Sequence, residues 1–163
     1  MFVLAGGGGL AWTTAIVLAQ DAQDPQQVES RARAAQAKRI VGVWDVAVTL
    51  RDCQTGIVVG AVRARNMFMA GGTLTELNAR GNPSMRSPSF GIRHVDAERT
   101  YSAVFWYSRF EAGAFTQTVK VTRQIRLSRD GNAFAASAFV EVSDANDTTV
   151  FTGCATEAAK RLG

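Results

Sequence analysis

The chain has 163 residues, of which 47% are hydrophobic and 20% are charged, and its formal net charge is +4. This length suggests one domain, and the balance of apolar and charged residues is typical of a globular protein rather than a disordered one. The 18 basic residues, most of them Arg, form no run interleaved with aromatic residues, which argues against nucleic-acid binding and supports only a mild preference for anionic partners.

The first part of the chain reads as a targeting segment. Residues 1–19 carry no charge, and Val17-Leu18-Ala19 fits the end of a signal peptide. We predict a signal peptide over 1–19, with an uncleaved anchor and a disordered tail as alternatives, because a basic n-region is missing and Gly6–Gly9 weaken a helix. The stretch is too short and too rich in glycine to predict a membrane span, and none is expected in the mature chain.

Residues 20–40 form a polar, alanine-rich segment that is either helical or a linker. Asp24 is a candidate N-cap, and Pro25 would take the first helical position. No helix breaker interrupts 26–39, but the apolar stripe is thin. The segment therefore either lies over one end of the domain or acts as a linker, and the pattern slightly favours the linker.

From residue 41 the hydrophobic period changes to two, the period of β-strands. The first strand, 41–51, places Trp44, Val46, Val48 and Leu50 on one face. Seven further strand-like segments follow, at 57–69, 73–79, 91–95, 100–110, 115–128, 133–143 and 148–160. Turn signals separate them, and the clearest is the hairpin signal Asp130-Gly131.

Eight strands with short connections and no intervening helix predict an all-β domain over 41–163. An eight-stranded antiparallel up-and-down barrel is the expected fold, with a sandwich as the alternative. A barrel of this size either fills its interior with its own side chains or holds one small ligand.

Gly42-Val43-Trp44 resembles the Gly-x-Trp signature of the first strand in lipocalins and related calycin-type barrels. In that family the Trp closes one end of the barrel and an Arg near the C-terminus packs across the indole; Arg161 is the matching residue here. Residues 41–162 are also similar to small exported bacterial proteins of unassigned function, which share Asp-Cys-x-Thr-Gly (52–56 here) and Gly-Cys-Ala-Thr (153–156 here). The resemblance implies a lipocalin-like fold with a short N-terminal helix, and no particular activity.

The chain has two cysteines, Cys53 and Cys154. An even count in an exported protein favours one disulfide, and two buried thiols are the alternative. Closure of an up-and-down barrel makes the first and last strands neighbours, which would bring these two residues within reach of each other. With one His and no Cys-x-x-Cys, neither a metal site nor a cofactor is predicted.

Arg123 is the most informative polar residue, because apolar residues flank it at period two. A buried guanidinium needs an acidic partner or an anion. Glu76 or a ligand carboxylate is the expected partner, while the alternative places Arg123 near a rim with its head group in water. Glu76 is correspondingly either an interior carboxylate or a solvated strand residue. The predicted ligand-binding set is Glu76, Phe105, Tyr107 and Arg123.

No catalytic residue is predicted. His94, the only imidazole, is expected at the surface, and no Ser or Cys lies in a nucleophile elbow.

Three functions fit this pattern. The leading one is a periplasmic or extracellular module that binds a small, mainly apolar or anionic molecule near the loop 80–91. The second is a cyclase- or isomerase-type barrel enzyme in which Glu76 and Arg123 polarise the substrate. The third is a structural or interaction protein with a filled barrel. Fold alone does not choose among them, and a cavity faced by a carboxylate and a donor would favour the second.

Overall fold

A computed structural model describes residues 24–163. The predicted signal peptide, residues 1–19, lies outside the described residues, as does the beginning of the polar segment. The regular elements are helix α1 (Pro25–Arg39) and the strands β1 (Gly42–Arg51), β2 (Val58–Phe68), β3 (Thr73–Asn78), β4 (Phe90–Ala97), β5 (Thr100–Glu111), β6 (Ala114–Leu127), β7 (Ala133–Ser143) and β8 (Thr149–Leu162). Within residues 24–163, no helix is both long and apolar enough to cross a membrane.

The eight strands form a closed antiparallel barrel in which each strand pairs with the next and β1 pairs with β8. The predicted all-β up-and-down barrel is thus confirmed. Because the strands alternate in direction, α1 and the connections 69–72, 98–99 and 128–132 lie at one end, here called the closed end. The other connections lie at the opposite end, here called the open end.

Side chains follow the alternation that the sequence predicts. On β6, the inward positions Val119, Val121, Arg123, Ile125 and Leu127 are all buried. The residues between them are more exposed, as expected for a strand with one face toward a core. β4 is longer than the predicted 91–95, because it pairs with β5 along its length.

An aromatic cluster fills the closed end. The ring of Trp44 lies 5.0 Å from that of Phe134, and Phe68 meets Phe134 edge-on at 6.0 Å. The guanidinium carbon of Arg161 lies 4.3 Å from the centre of the Trp44 ring, in the arrangement that the lipocalin resemblance implies. Gly42 is required beside this pair, because its φ is +138° and an added Cβ would approach Arg161 Nη1 to 2.6 Å.

Hydrogen bonds hold the C-terminal end of α1 over this cluster. They are accepted by carbonyl groups of that end, which lack partners within the helix. Trp44 Nε1 donates to the Ile40 carbonyl at 2.9 Å, and Tyr101 Oη donates to that of Gln36 at 2.7 Å. Arg161 Nη2 donates to the Arg39 carbonyl at 2.6 Å. The sequence slightly favours a linker for this segment, whereas the structure has a helix that is fixed at its C-terminal end. At its other end Asp24 accepts a hydrogen bond from the Gln26 amide, as an N-cap does.

Cys53 and Cys154 form a disulfide, with their Cα atoms 5.0 Å apart, so the predicted bond is confirmed. Cys154 lies directly opposite Arg51 where β8 pairs with β1. The bond therefore links the two strands that close the barrel, at its open end.

Candidate ligand-binding cavity

The interior of the barrel toward the open end is hollow. It encloses a cavity of about 490 Å³, within the range of small-molecule sites in proteins. Its wall is mostly apolar and includes Val48, Leu50, Val62, Met85, Phe105, Val121, Val140 and Phe151. The space exists because several inward positions carry small residues, among them Ala64, Ala138, Gly153 and Ala155.

A buried ion pair lies at the base of the cavity. Arg123 Nη1 is 3.0 Å from Glu157 Oε2, and the two side chains are 1% and 5% exposed. Arg123 is on β6 and Glu157 is on β8, so the pair spans β7. The two side chains can meet because the inward β7 positions beside them are Ala136 and Ala138. Arg123 also stacks over Phe105, with its guanidinium carbon 4.3 Å from the ring centre.

The surroundings of Glu157 shift the pKa of its carboxyl group upward. Burial raises the pKa of this carboxyl group, the charge of Arg123 opposes that change, and the charge of Glu76 adds to it. Glu157 therefore gives the cavity a carboxyl group that holds its proton more tightly than an exposed glutamate does.

A second ion pair involves the loop between β3 and β4. Arg86 Nη2 lies 2.6 Å from Glu76 Oε2, and the Arg86 guanidinium carbon is 3.5 Å from the centre of the Tyr107 ring. Glu76 is also held through its backbone, whose N–H donates to Ser89 Oγ at 2.7 Å. Arg86 thus bridges Glu76 and Tyr107, and all three residues line the cavity.

These two pairs correct the expected partner of Arg123. The sequence suggests Glu76 or a ligand carboxylate, but the structure pairs Arg123 with Glu157 and pairs Glu76 with Arg86. The pairing of Arg123 with Glu76 is wrong because partners across a barrel depend on the stagger of its strands, which the pattern of a single strand does not give.

Asn66 lies at the base of the cavity with its amide unpaired. It is 1% exposed and lines the cavity, yet neither Nδ2 nor Oδ1 has a hydrogen-bond partner among residues 24–163. In the sheet it stands between Trp44 on β1 and Glu76 on β3, beside the aromatic cluster. Buried polar groups are normally paired, so an unpaired amide in a residue that lines a cavity stands out.

The charges around the cavity are mainly positive. Four arginines line it, against two glutamates that are already paired. Beyond Arg86 and Arg123 these are Arg51 and Arg109, which lie where β1 and β5 approach the open end. The cavity thus combines an apolar wall with an excess of donors.

All four predicted ligand-binding residues, Glu76, Phe105, Tyr107 and Arg123, line this one cavity. Trp106, next to Tyr107, points outward and is 41% exposed. His94 is exposed on β4, away from the cavity lining.

Sequence reasoning missed three residues of the site: Asn66, Arg86 and Glu157. Asn66 and Glu157 each alternate with buried residues on their strands, which is the same signal that marks Arg123. Arg86 lies in an irregular loop, where no hydrophobic period in the sequence indicates which way its side chain points.

Compared with known proteins, the chain matches no family model and no curated protein. The lipocalin likeness therefore rests on the Gly-x-Trp motif and on the closed barrel.

Proposed function

We propose that this protein is a lipocalin-like binding module that holds a small, mainly apolar molecule in the open half of its barrel. The observation that carries the proposal is the cavity of about 490 Å³, with an apolar wall and a few buried polar groups at its base. That combination is typical of small-molecule sites, where the wall gives affinity and the polar groups give orientation.

The charge of the lining favours anionic members of this ligand class. Four arginines and two glutamates line the cavity, so its lining carries a net positive charge. A ligand with an acidic group could place it near Arg51 or Arg109 at the open end, where the cost of removing the charge from water is smaller than at the base.

Export is part of the proposal. The Cys53–Cys154 disulfide fits an oxidising compartment, and the uncharged segment 1–19 fits a signal peptide. We therefore place the mature protein in the periplasm or outside the cell, with a barrel domain over 41–163 preceded by α1.

A cyclase or isomerase is the second candidate, and one observation favours it. The carboxyl groups of Glu76 and Glu157 and the guanidinium of Arg123 all face the cavity, so a bound substrate would meet both an acid and a donor. Both carboxyl groups are engaged in ion pairs, and for this reason we rank binding first. The third alternative, a structural protein whose barrel is filled by its own side chains, describes only the closed end of this barrel.

Native mass spectrometry of the protein, purified from its own compartment, tests the proposal. We expect an adduct of small-molecule mass that is lost when the protein is denatured. An adduct that is chemically changed during incubation would instead support the enzyme. A protein without an adduct, which also fails to bind an added apolar probe, would contradict both.

A further inference from the structure

Asn66 differs from the other polar residues at the base of the cavity. Arg123 is bonded to Glu157 and Glu76 is bonded to Arg86, whereas both ends of the Asn66 amide lack a partner among residues 24–163. A buried amide without partners costs stability, so its presence needs another explanation.

The chemistry of the amide defines what would satisfy it. The Nδ2 group donates and Oδ1 accepts, and the two atoms lie side by side in one plane. The complementary group has an acceptor and a donor at the same spacing, as a carboxamide or lactam does.

A charged carboxylate fits this position less well. It offers acceptors only, so it would leave Asn66 Oδ1 without a donor. It would also add a third carboxyl group to a base that already holds Glu76 and Glu157.

We infer that the ligand enters with an uncharged amide-type group first, and that this group forms a paired hydrogen bond with Asn66 at the base of the cavity. The inference rests on the proposed binding function and adds the chemical class of the ligand's inner end. The apolar body of the ligand then lies against the wall, and any acidic group stays toward the open end.

Two uncharged probes with the same apolar chain test this inference. Decanamide and methyl decanoate are each used to displace 1-anilinonaphthalene-8-sulfonate from the purified protein. Water solvates the amide better than the ester, so a site without a partner for the amide would bind the ester more tightly. We expect the opposite, with decanamide binding about tenfold more tightly or better, because the ester leaves Asn66 Oδ1 without a donor.

The variant Asn66→Leu removes both polar atoms and keeps a side chain of similar size. We expect the preference to reverse, so that the ester binds more tightly than the amide. We also expect the variant to resist urea at least as well as the wild type, because an unpaired buried amide has been removed. Asn78→Leu is the matched control: Asn78 lines the cavity nearer the open end, and its Oδ1 is already bonded to the Arg80 amide. It should keep the preference for decanamide.

The outcomes separate the inference from the proposed function. Equal or tighter binding of the ester to the wild type would overturn the inference, as would an amide preference that survives in Asn66→Leu, while the binding function would stand. A wild-type protein that binds neither probe nor the fluorophore would overturn both.

Discussion

The two ends of this barrel are built from the same eight strands but are filled in opposite ways. At the closed end, Trp44, Phe68 and Phe134 interlock beneath the last turn of α1. Toward the open end, small inward residues leave about 490 Å³ of space, with two ion pairs and an unpaired amide around it.

The difference indicates which end serves stability and which serves function. Filling apolar space and pairing polar groups both stabilise a fold, and the closed end does the first; most of its buried polar groups are paired, but Gln36 Oε1 and Arg93 Nε have no partner among the described residues. The hollow half neither fills all of its apolar space nor pairs all of its polar groups. An open cavity, a buried ion pair and an unpaired amide each add little to the stability of the fold or reduce it. Such costs are typical of functional sites, where local rules of good packing are broken.

Removing the ring that closes the barrel should have the largest effect on stability. Trp44→Ala leaves a large hole and an unbonded Ile40 carbonyl, so we expect a loss of about 3–5 kcal/mol in the free energy of unfolding. Trp106→Ala is the matched control, because that ring is on the outer face. Urea unfolding measures both. A loss below about 1 kcal/mol for Trp44→Ala would mean that the ring is not a central part of the core.

The buried pair at the base should behave as one unit. Glu157→Leu leaves a buried guanidinium without its partner, and Arg123→Met leaves a buried carboxyl group without its partner; each should cost about 3–5 kcal/mol, while the double variant should lose clearly less than the sum. A double-mutant cycle on urea unfolding measures this coupling. The cycle for Arg123 and Glu76 is the control, and it should give a smaller coupling energy. Additive losses for Arg123 and Glu157 would show that the pair does not form.

Removal of the disulfide should have the next largest effect on stability. It joins residues 101 apart in sequence, and replacing both cysteines by serine should cost about 2–5 kcal/mol, mainly by freeing the unfolded chain. Unfolding of the double variant beside the oxidised wild type measures the loss. If the two proteins unfolded at the same denaturant concentration, the bond would not hold the closing strands together.

Titration of Glu157 should make the stability of the protein depend on pH. Its pKa is raised above the usual 4.5, so the folded state holds this proton more tightly than the unfolded state. The stability that this proton contributes is fully present below the usual pKa. It is lost as the pH rises through the pKa that Glu157 has in the folded protein. Relative to Glu157→Gln, the wild type should therefore lose free energy of unfolding as the pH rises from about 4.5. Parallel pH profiles for the two proteins would contradict this.

The fold could be predicted because its signals are local. Alternating residues such as Val119, Val121 and Ile125 mark a strand and its buried face, and Asp130-Gly131 marks a hairpin, in which Gly131 has a φ of +77°. The neighbouring positions of Cys53 and Cys154 follow once the barrel is closed.

The site could be predicted only in part. Arg123 and Glu76 could be assigned to the interior from their own strands, but their partners depend on strand stagger and on the path of the loop that carries Arg86. The cavity itself depends on the sum of side-chain volumes at one level of the barrel, to which Ala138 and Gly153 contribute from different strands. No single stretch of sequence contains that sum.

Binding of 1-anilinonaphthalene-8-sulfonate to a pair of neighbouring β7 variants tests the central claim most directly. Val140 faces the cavity and stands opposite Gly153, whereas Phe139 points outward. We predict saturable binding to the wild type and to Phe139→Trp, and a loss of tenfold or more in affinity for Val140→Trp, because the larger ring would occupy the cavity. Equal affinity for the two variants would contradict a binding site inside the barrel.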